Sequence, residues 1–365
     1  MQLLRLLAGA VLTRRRPRPG VGTLRTKALV AAALASSTAL AALACTAPAG
    51  ASAAATSGAY PVTISNCGTS TTYTKAPTRA VSNDINTTED TLSLGLEPHM
   101  VGDFGVNGDG PEGHPVPRSY LTAFHQVKDI SSNYFTLEKL VGLHPDFVFA
   151  GWDYGLSVGT RLTPTGLAKF HIKTLALTES CTHAQVSKDS VSIANTYQDL
   201  TNLGKVFGVE SRANKVIAAM KVQVTTAQTK VGSLAPVTVF DYDSGSSAPF
   251  TGAGLTTISA LISDAGGTDI FAGLKQSFSS VSWEQVIAAN PQCVIINDYG
   301  TPTASQKETF LETSNFTKNL TAVKNKCFLP LSYDEVTPGP RNAEAVVTIA
   351  RWLHPAAYGL PADGS

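Results

Sequence analysis

Apolar residues recur along this chain in two rhythms that take turns. Short apolar runs such as Val294-Ile295-Ile296 fit strands buried on both faces, and apolar residues three or four apart fit amphipathic helices. Residues 80–81 predict a strand, 88–95 a helix closing on Gly95, 100–102 a strand, 136–143 a helix and 146–150 a strand. Residues 162–170 and 172–177 add a helix and a strand, and 190–208 a further amphipathic helix. Val209, Ala213, Val216, Ile217, Met220, Val224, Ala227 and Val231 then trace a single stripe along one long helix, free of Gly and Pro from Glu210 to Val231 and ended by Gly232. The alternation restarts beyond it. Residues 237–240, 294–296 and 328–331 predict strands, and 256–266, 282–290 and 342–353 predict helices. This order implies an α/β protein with two Rossmann-like lobes, each built on a central parallel sheet, joined by one long rigid helix. The lobes are expected at 60–208 and 233–365, with the linking helix at 209–232.

The first 59 residues follow a different pattern. Seven basic residues (Arg5, Arg14, Arg15, Arg16, Arg18, Arg25 and Lys27) precede an apolar stretch at 28–43, and no acidic residue occurs before Asp84. A basic region, a short apolar region and small residues after it make an export signal, and the stretch is too short and alanine-rich for a membrane span. Leu43-Ala44-Cys45 fits a lipidation site at Cys45, with Ala42 departing from the usual branched apolar residue; Ala51-Ser52-Ala53 offers ordinary cleavage instead. Residues 1–44 are therefore expected to be a signal peptide and 45–59 a flexible tether. Export sharpens the charge balance. The whole chain carries 28 Lys+Arg against 27 Asp+Glu, a net charge of +1; removing residues 1–44 takes seven basic and no acidic residues, leaving 21 against 27, or −6. The exported protein is acidic, which gives no reason to expect nucleic acid.

Four further cysteines, Cys67, Cys181, Cys293 and Cys327, allow three pairings in an oxidising compartment. Cys293 and Cys327 each open an apolar run. If those runs are neighbouring parallel strands in register, the two cysteines lie side by side, which favours Cys293–Cys327 and, by remainder, Cys67–Cys181. Catalytic signatures are weak: the chain has no phosphate-binding G-x-x-x-x-G-K-[ST] and no C-x-x-C, and Gly252-Ala253-Gly254 lacks the third glycine of a dinucleotide loop. An enzyme is not expected. His99, His114 and His183 lie near strand exits but show no repeated ligand spacing, so no resident metal site is expected.

Several segments carry a family resemblance in their order and spacing. They are Ala76-Pro77-Thr78-Arg79-Ala80-Val81, Thr88-Glu89, Leu94-Gly95-Leu96, Leu137-Glu138-Lys139-Leu140 with Leu143-His144-Pro145-Asp146, Val281-Ser282-Trp283-Glu284 with Asn290-Pro291-Gln292, Ala265-Gly266-Gly267 and Pro338-Gly339-Pro340-Arg341. From Tyr60 to Pro355 the chain resembles bacterial solute-binding proteins of ABC importers, of the iron-siderophore and cobalamin class; Gln292 departs from the usual Asp. The resemblance implies a monomeric extracytoplasmic receptor, anchored by lipid, that carries an iron-siderophore or corrinoid-type chelate to a membrane permease. Iron then enters only within the chelate, and no other cofactor is implied. A haem or metal-ion receptor of the same fold is the alternative. It also implies that Glu138 and Glu284, at matching positions of the two lobes, dock onto permease arginines.

Parallel sheets bind ligands outside the carboxyl ends of their strands. The loops found there present Phe104, Trp152, Tyr154, Asp241, Tyr242, Tyr299 and Tyr333, with Arg341 as the main cation. Flat amphipathic rings suit a bulky chelate, and the excess of acids favours a neutral or cationic one.

Overall fold

A computed structural model of the chain describes residues 60–106, 116–185 and 190–361, all within one compact unit, residues 54–365. The signal peptide, the tether and Cys45 lie outside the described residues, as does His114. A polar hairpin, β1 (Val62–Asn66) and β2 (Thr69–Tyr73), opens the fold. The first lobe follows as β3 (Ala80–Asn83), α1 (Ile85–Ser93), β4 (Met100–Phe104), α2 (Leu121–Phe124), β5 (Asp129–Ser131), α3 (Leu137–Gly142), β6 (Phe147–Trp152), β7 (Gly155–Leu156), α4 (Pro164–Ala168) and β8 (Lys173–Ala176). Helices α5 (Ala194–Phe207) and α6 (Glu210–Val231) lead out of it. The second lobe comprises β9 (Val237–Tyr242), β10 (Phe250–Gly252), α7 (Thr257–Asp264), β11 (Gly267–Asp269), β12 (Phe278–Ser280), α8 (Trp283–Ala289), β13 (Cys293–Asp298), α9 (Ala304–Thr313), α10 (Thr321–Lys324), β14 (Phe328–Ser332), α11 (Tyr333–Val336) and α12 (Asn342–Leu353).

The first sheet runs β5-β4-β3-β6-β8, with β7 also on β6, and every pair is parallel. The second runs β11-β9-β13-β14, again all parallel, while β10 and β12 form a small antiparallel ladder. Central strands such as β6 are buried at every position, which is why they read as unbroken apolar runs. Between strands, Thr136, Thr163, Thr256, Ser282 and Thr303 cap helices by accepting a bond from a first-turn amide, typically worth about 1 kcal/mol each. Helix α6 has no side-chain cap. It is held by its stripe of Ala213, Ile217, Met220, Val224, Ala227 and Val231, packed on α5, α7 and α12. That stripe belongs to a core shared with Phe147 of the first sheet and Ile295 of the second, so the connection between the sheets is a packed element, not a tether.

Both disulfides form. Val294 pairs with Phe328 in the β13–β14 ladder, which puts Cys293 beside Cys327 with Cα atoms 4.8 Å apart. Cys67, at the hairpin turn, joins Cys181, with Cα atoms 5.1 Å apart.

Candidate functional site

The strands run about two residues further than their sequence signals. Residue 81 gives way to Asn83 as the end of β3, 102 to Phe104, 150 to Trp152 and 240 to Tyr242. This extension corrects part of the expected site. Phe104 lies in the first lobe's core, fully buried and edge-on to Phe135. Tyr242 packs in the second lobe among Phe240, Trp283 and Phe310, its hydroxyl donating to the Gly245 carbonyl. Asp241 is buried beneath the cleft, and its Oδ2 accepts the Gly252 amide at 2.8 Å; burial drives its carboxyl well above the ordinary range. The Trp152 indole also packs in the core. Arg341 is not a free cation, because its guanidinium pairs with Asp334 and, at 3.2 Å, with Glu335, securing the start of α12.

Tyr154, Tyr299 and Tyr333 do come together, one step beyond those strand ends. Their meeting point includes two residues the strand-exit reading passed over, Asp84 and Tyr134. Asp84 follows β3 with φ +86°, a conformation L-residues rarely hold. Its Oδ1 accepts the Ile85 amide at 2.7 Å and so starts α1. Its Oδ2 accepts two phenols, Tyr134 of the first lobe at 2.5 Å and Tyr333 of the second at 2.8 Å. One carboxylate oxygen thus ties the two lobes. Burial pushes Asp84 up to about 6 although both phenols and the Ile85 amide favour its charged form. Tyr299 stands edge-on to Tyr333, ring centroids 5.7 Å apart, and donates to Asp243 Oδ1 at 2.6 Å. The Tyr154 ring lies 5.5 Å from that of His183.

His183 faces a cavity of about 660 Å3 between the lobes. Asp153, Thr182 and His183 line it from one side and Lys275, Ser277 and Phe278 from the other. The Thr182 and Ser277 hydroxyls meet across it at 3.0 Å, and Phe278 sets its ring edge-on to the imidazole. His183 Nδ1 sits 3.1 Å from the Trp152 carbonyl, so Trp152 contributes backbone to this wall. Nε2 lies 3.6 Å from buried Glu179, and Asp153 is 3.7 Å from the ring. Burial alone would lower the imidazole's pKa; the Glu179, Asp153 and Trp152 oxygens outweigh it and raise it. Lys275 to Ser277 precede an antiparallel strand and Phe278 opens it, so no parallel strand-exit rule points to them.

Gly155-Leu156-Ser157-Val158-Gly159 matches G-x-S-x-G, but the Ser157 amide is tied to Leu162 in a turn instead of opening a helix, so no nucleophile elbow forms. Among the described residues no three His, Cys, Asp or Glu side chains cluster to hold a metal ion, and His99 is turned to the Pro77 carbonyl. Glu138 and Glu284 are exposed, each the second residue of a short helix, α3 capped by Thr136 and α8 by Ser282.

The chain is 22% identical over 306 residues, 81% of its length and 86% of the relative's, to the uncharacterized ABC transporter substrate-binding lipoprotein YvrC of Bacillus subtilis. Among solved structures, a periplasmic binding protein from Veillonella parvula is 26% identical with a TM-score of 0.70, covering 80% of this chain and 97% of that one. An ABC-type Fe3+-hydroxamate transport system structure from Saccharomonospora viridis shares the fold at a TM-score of 0.67 and 19% identity, covering 82% and 100%. The sequence model of the periplasmic binding protein family matches residues 81–331, and with two parallel-sheet lobes enclosing a cavity the chain belongs to that family, the solute-binding proteins of ABC importers.

Proposed function

We propose that the protein is an extracytoplasmic receptor, lipid-anchored through Cys45, that holds a neutral or cationic metal chelate between its lobes and passes it to a membrane permease. The chelate is of the iron-siderophore or corrinoid type. The carrying observation is the cavity of about 660 Å3 whose walls come from both lobes, a size suited to a compact organic ligand. Its charge supports the choice within that class. Asp84, Asp153, Glu179 and Asp243 surround the seam, against Lys275 and His183 on the cavity wall; Arg341 is already paired, and Lys307 is committed to the Asn297 carbonyl and the Tyr299 ring. A polyanionic catecholate complex would enter without enough counter-charge. The Saccharomonospora relative named for Fe3+-hydroxamate transport supports the same class.

Titration of the mature protein with ferric hydroxamates, ferric catecholates, haem and cobalamins, followed by intrinsic fluorescence, tests this reading. Ferric hydroxamates or cobalamins are expected to bind at least tenfold more tightly than ferric catecholates. No response to any of them, or a preference for catecholates, overturns it.

Glu138 and Glu284 supply the permease contact in this reading, one acid per lobe. An acid in a helix's first turn also favours the helix by about 0.3–1 kcal/mol, a role that would not require matching positions in two lobes. The double charge reversal Glu138→Lys/Glu284→Lys is expected to abolish cellular uptake while ligand affinity changes less than twofold. Unimpaired uptake would remove both residues from the docking surface.

A further inference from the structure

We propose that His183 is the charge selector of the cavity: held as an imidazolium, it balances the neighbouring acids and favours a neutral chelate, and on losing a proton it shifts the preference toward a cationic one. The inference rests on the chelate-receptor reading and deepens it, separating the neutral from the cationic members of that class. Geometry carries it, because both ring nitrogens face acceptors. Nδ1 lies 3.1 Å from the Trp152 carbonyl and 3.7 Å from the Asp153 carboxylate, and Nε2 lies 3.6 Å from the Glu179 carboxylate. A carbonyl and a carboxylate only accept, and a neutral imidazole has a single N–H to give. In that form one nitrogen would turn its lone pair on an oxygen; the imidazolium serves both sides. The ring is also fixed in place. Its side chain is 4% exposed, Phe278 stands edge-on to it, and the Tyr154 ring lies 5.5 Å away. Glu179 is itself 1% exposed, and its Oε2 has no hydrogen-bond partner, which leaves the imidazolium as its compensating charge. Burial lowers the imidazole's pKa, but the Glu179, Asp153 and Trp152 oxygens outweigh it and raise it, in keeping with the geometry.

Charge around the cavity then closes. Asp153 lines it from the first lobe, Lys275 lines it from the second, and Glu179 lies against the ring. With His183 protonated, these two acids meet two cations, and a neutral ligand leaves no charge unmatched. Every other described side chain lining the cavity is neutral, and burial keeps the adjoining Tyr154 phenol protonated. Deprotonation of the imidazole leaves one acid in excess. A cationic ligand then supplies the missing charge, so its affinity rises relative to that of a neutral ligand of the same shape.

Matched ligand pairs test the proposal on the mature protein. A neutral ferric trihydroxamate and a neutral cobalamin are each compared with a derivative carrying one fixed quaternary ammonium group, from about pH 5.5 to about pH 9, a range that brackets histidine ionisation. For the class that binds, the ratio of cationic to neutral affinity is expected to rise about tenfold with pH, the effect of one unit charge across a small cavity at a protein-like dielectric. His183→Gln should hold the ratio at its high-pH value throughout while still binding the neutral member, which certifies the fold. Nitrogen-15 NMR of the imidazole gives a second readout that needs no ligand. Near pH 6 both His183 nitrogens should carry protons, in a signal assigned by its loss in His183→Gln. A ratio that stays constant across the range overturns the charge selection and leaves the receptor reading standing, as does a ratio that still changes in His183→Gln. A singly protonated ring near pH 6 overturns it too. Failure of all four compounds to bind overturns both readings.

Discussion

Replacing Cys67 and Cys181 by serine is expected to destabilise the protein by about 4–5 kcal/mol and to weaken ligand binding, whereas the same change at Cys293 and Cys327 should cost nearly as much stability and leave affinity intact. The two bridges close loops of very different length, with separations of 114 and 34 residues. Loop-closure entropy grows only logarithmically, so the difference between them is only about 1 kcal/mol. Position separates them. Cys181 lies in a short turn of helix, Glu179–Thr182, that supplies Glu179 and Thr182 and leads directly into His183. Cys67 anchors that turn to the hairpin, helped by Asn66, whose side chain bonds both backbone groups of Ala176 at the end of β8. Freeing the turn loosens one wall of the cavity. The Cys293–Cys327 bridge sits at the opposite ends of β13 and β14, where the strands enter the sheet. Urea unfolding and fluorescence titration of the two double variants give the comparison. Equal losses of affinity in both would show that the hairpin does not position the cavity wall.

The fold was legible wherever burial was two-sided or the stripe was long. Residues 342–353 match α12 at both ends, and the eight-residue stripe predicts α6 to within a residue. Helices opened by a threonine or serine cap, such as α3 and α8, were also readable. The hairpin β1–β2 was hidden because only Ile64 and Tyr73 are buried and the rest, Val62 apart, is Ser, Thr and Asn on half-buried or exposed positions. Helix α9 carried a signal in its capping box, Thr303 with Gln306, but its apolar stripe is broken by Lys307, which is buried with its ammonium on the Asn297 carbonyl. A charged residue at a core position erases the period that would have revealed the helix.

Legibility of the site follows the same physics. The rule that ligands sit beyond strand ends points to Tyr154, Tyr299 and Tyr333, of which Tyr299 and Tyr333 pack edge-on beside Asp84 at the seam. It failed at Phe104 and Tyr242 because each strand continues two residues past its apolar run, and those residues still face a core. The same extension of β3 to Asn83 carries the seam to Asp84, the next residue. Tyr134 was out of reach because the strand before it, β5, is three residues long with only Ile130 apolar. Arg341 illustrates a limit of charge counting. Its two acidic partners are six and seven residues upstream, and only α11 brings them back to it.

Stability should be highest in mildly acidic solution and fall as the pH rises toward 8, the reverse of proteins whose acids are held by salt bridges. The cause is a set of buried carboxyls whose desolvation outweighs the pull of any nearby cation, Arg341 on Glu89 included. Burial pushes Asp84 up to about 6, Asp199 to about 7, Asp103 to about 8 and Glu89 to about 10, with Asp90 well above the ordinary range. Nearby acids add to the effect, Asp129 on Asp103 and Asp334 on Glu89. In the unfolded chain all of them ionise near pH 4. Between that value and its raised one, each folded carboxyl keeps a proton that the unfolded chain has released. The folded state therefore binds more protons, and stability drops with rising pH by up to about 1.4 kcal/mol per unit and per group. His183 acts in the same direction, because its raised pKa contributes stability at low pH that is lost as the imidazole deprotonates. Asp103 offers the clearest single test. It is fully buried in β4, and neither carboxylate oxygen has a hydrogen-bond partner. Asp103→Asn should leave the melting temperature unchanged near pH 4 and raise it near pH 7.5, by an amount corresponding to about 1–3 kcal/mol, flattening the profile. Calorimetric melts across that range decide the matter, and a wild-type melting temperature that rises from pH 5 to pH 8 would show that these carboxyls are ionised in the fold.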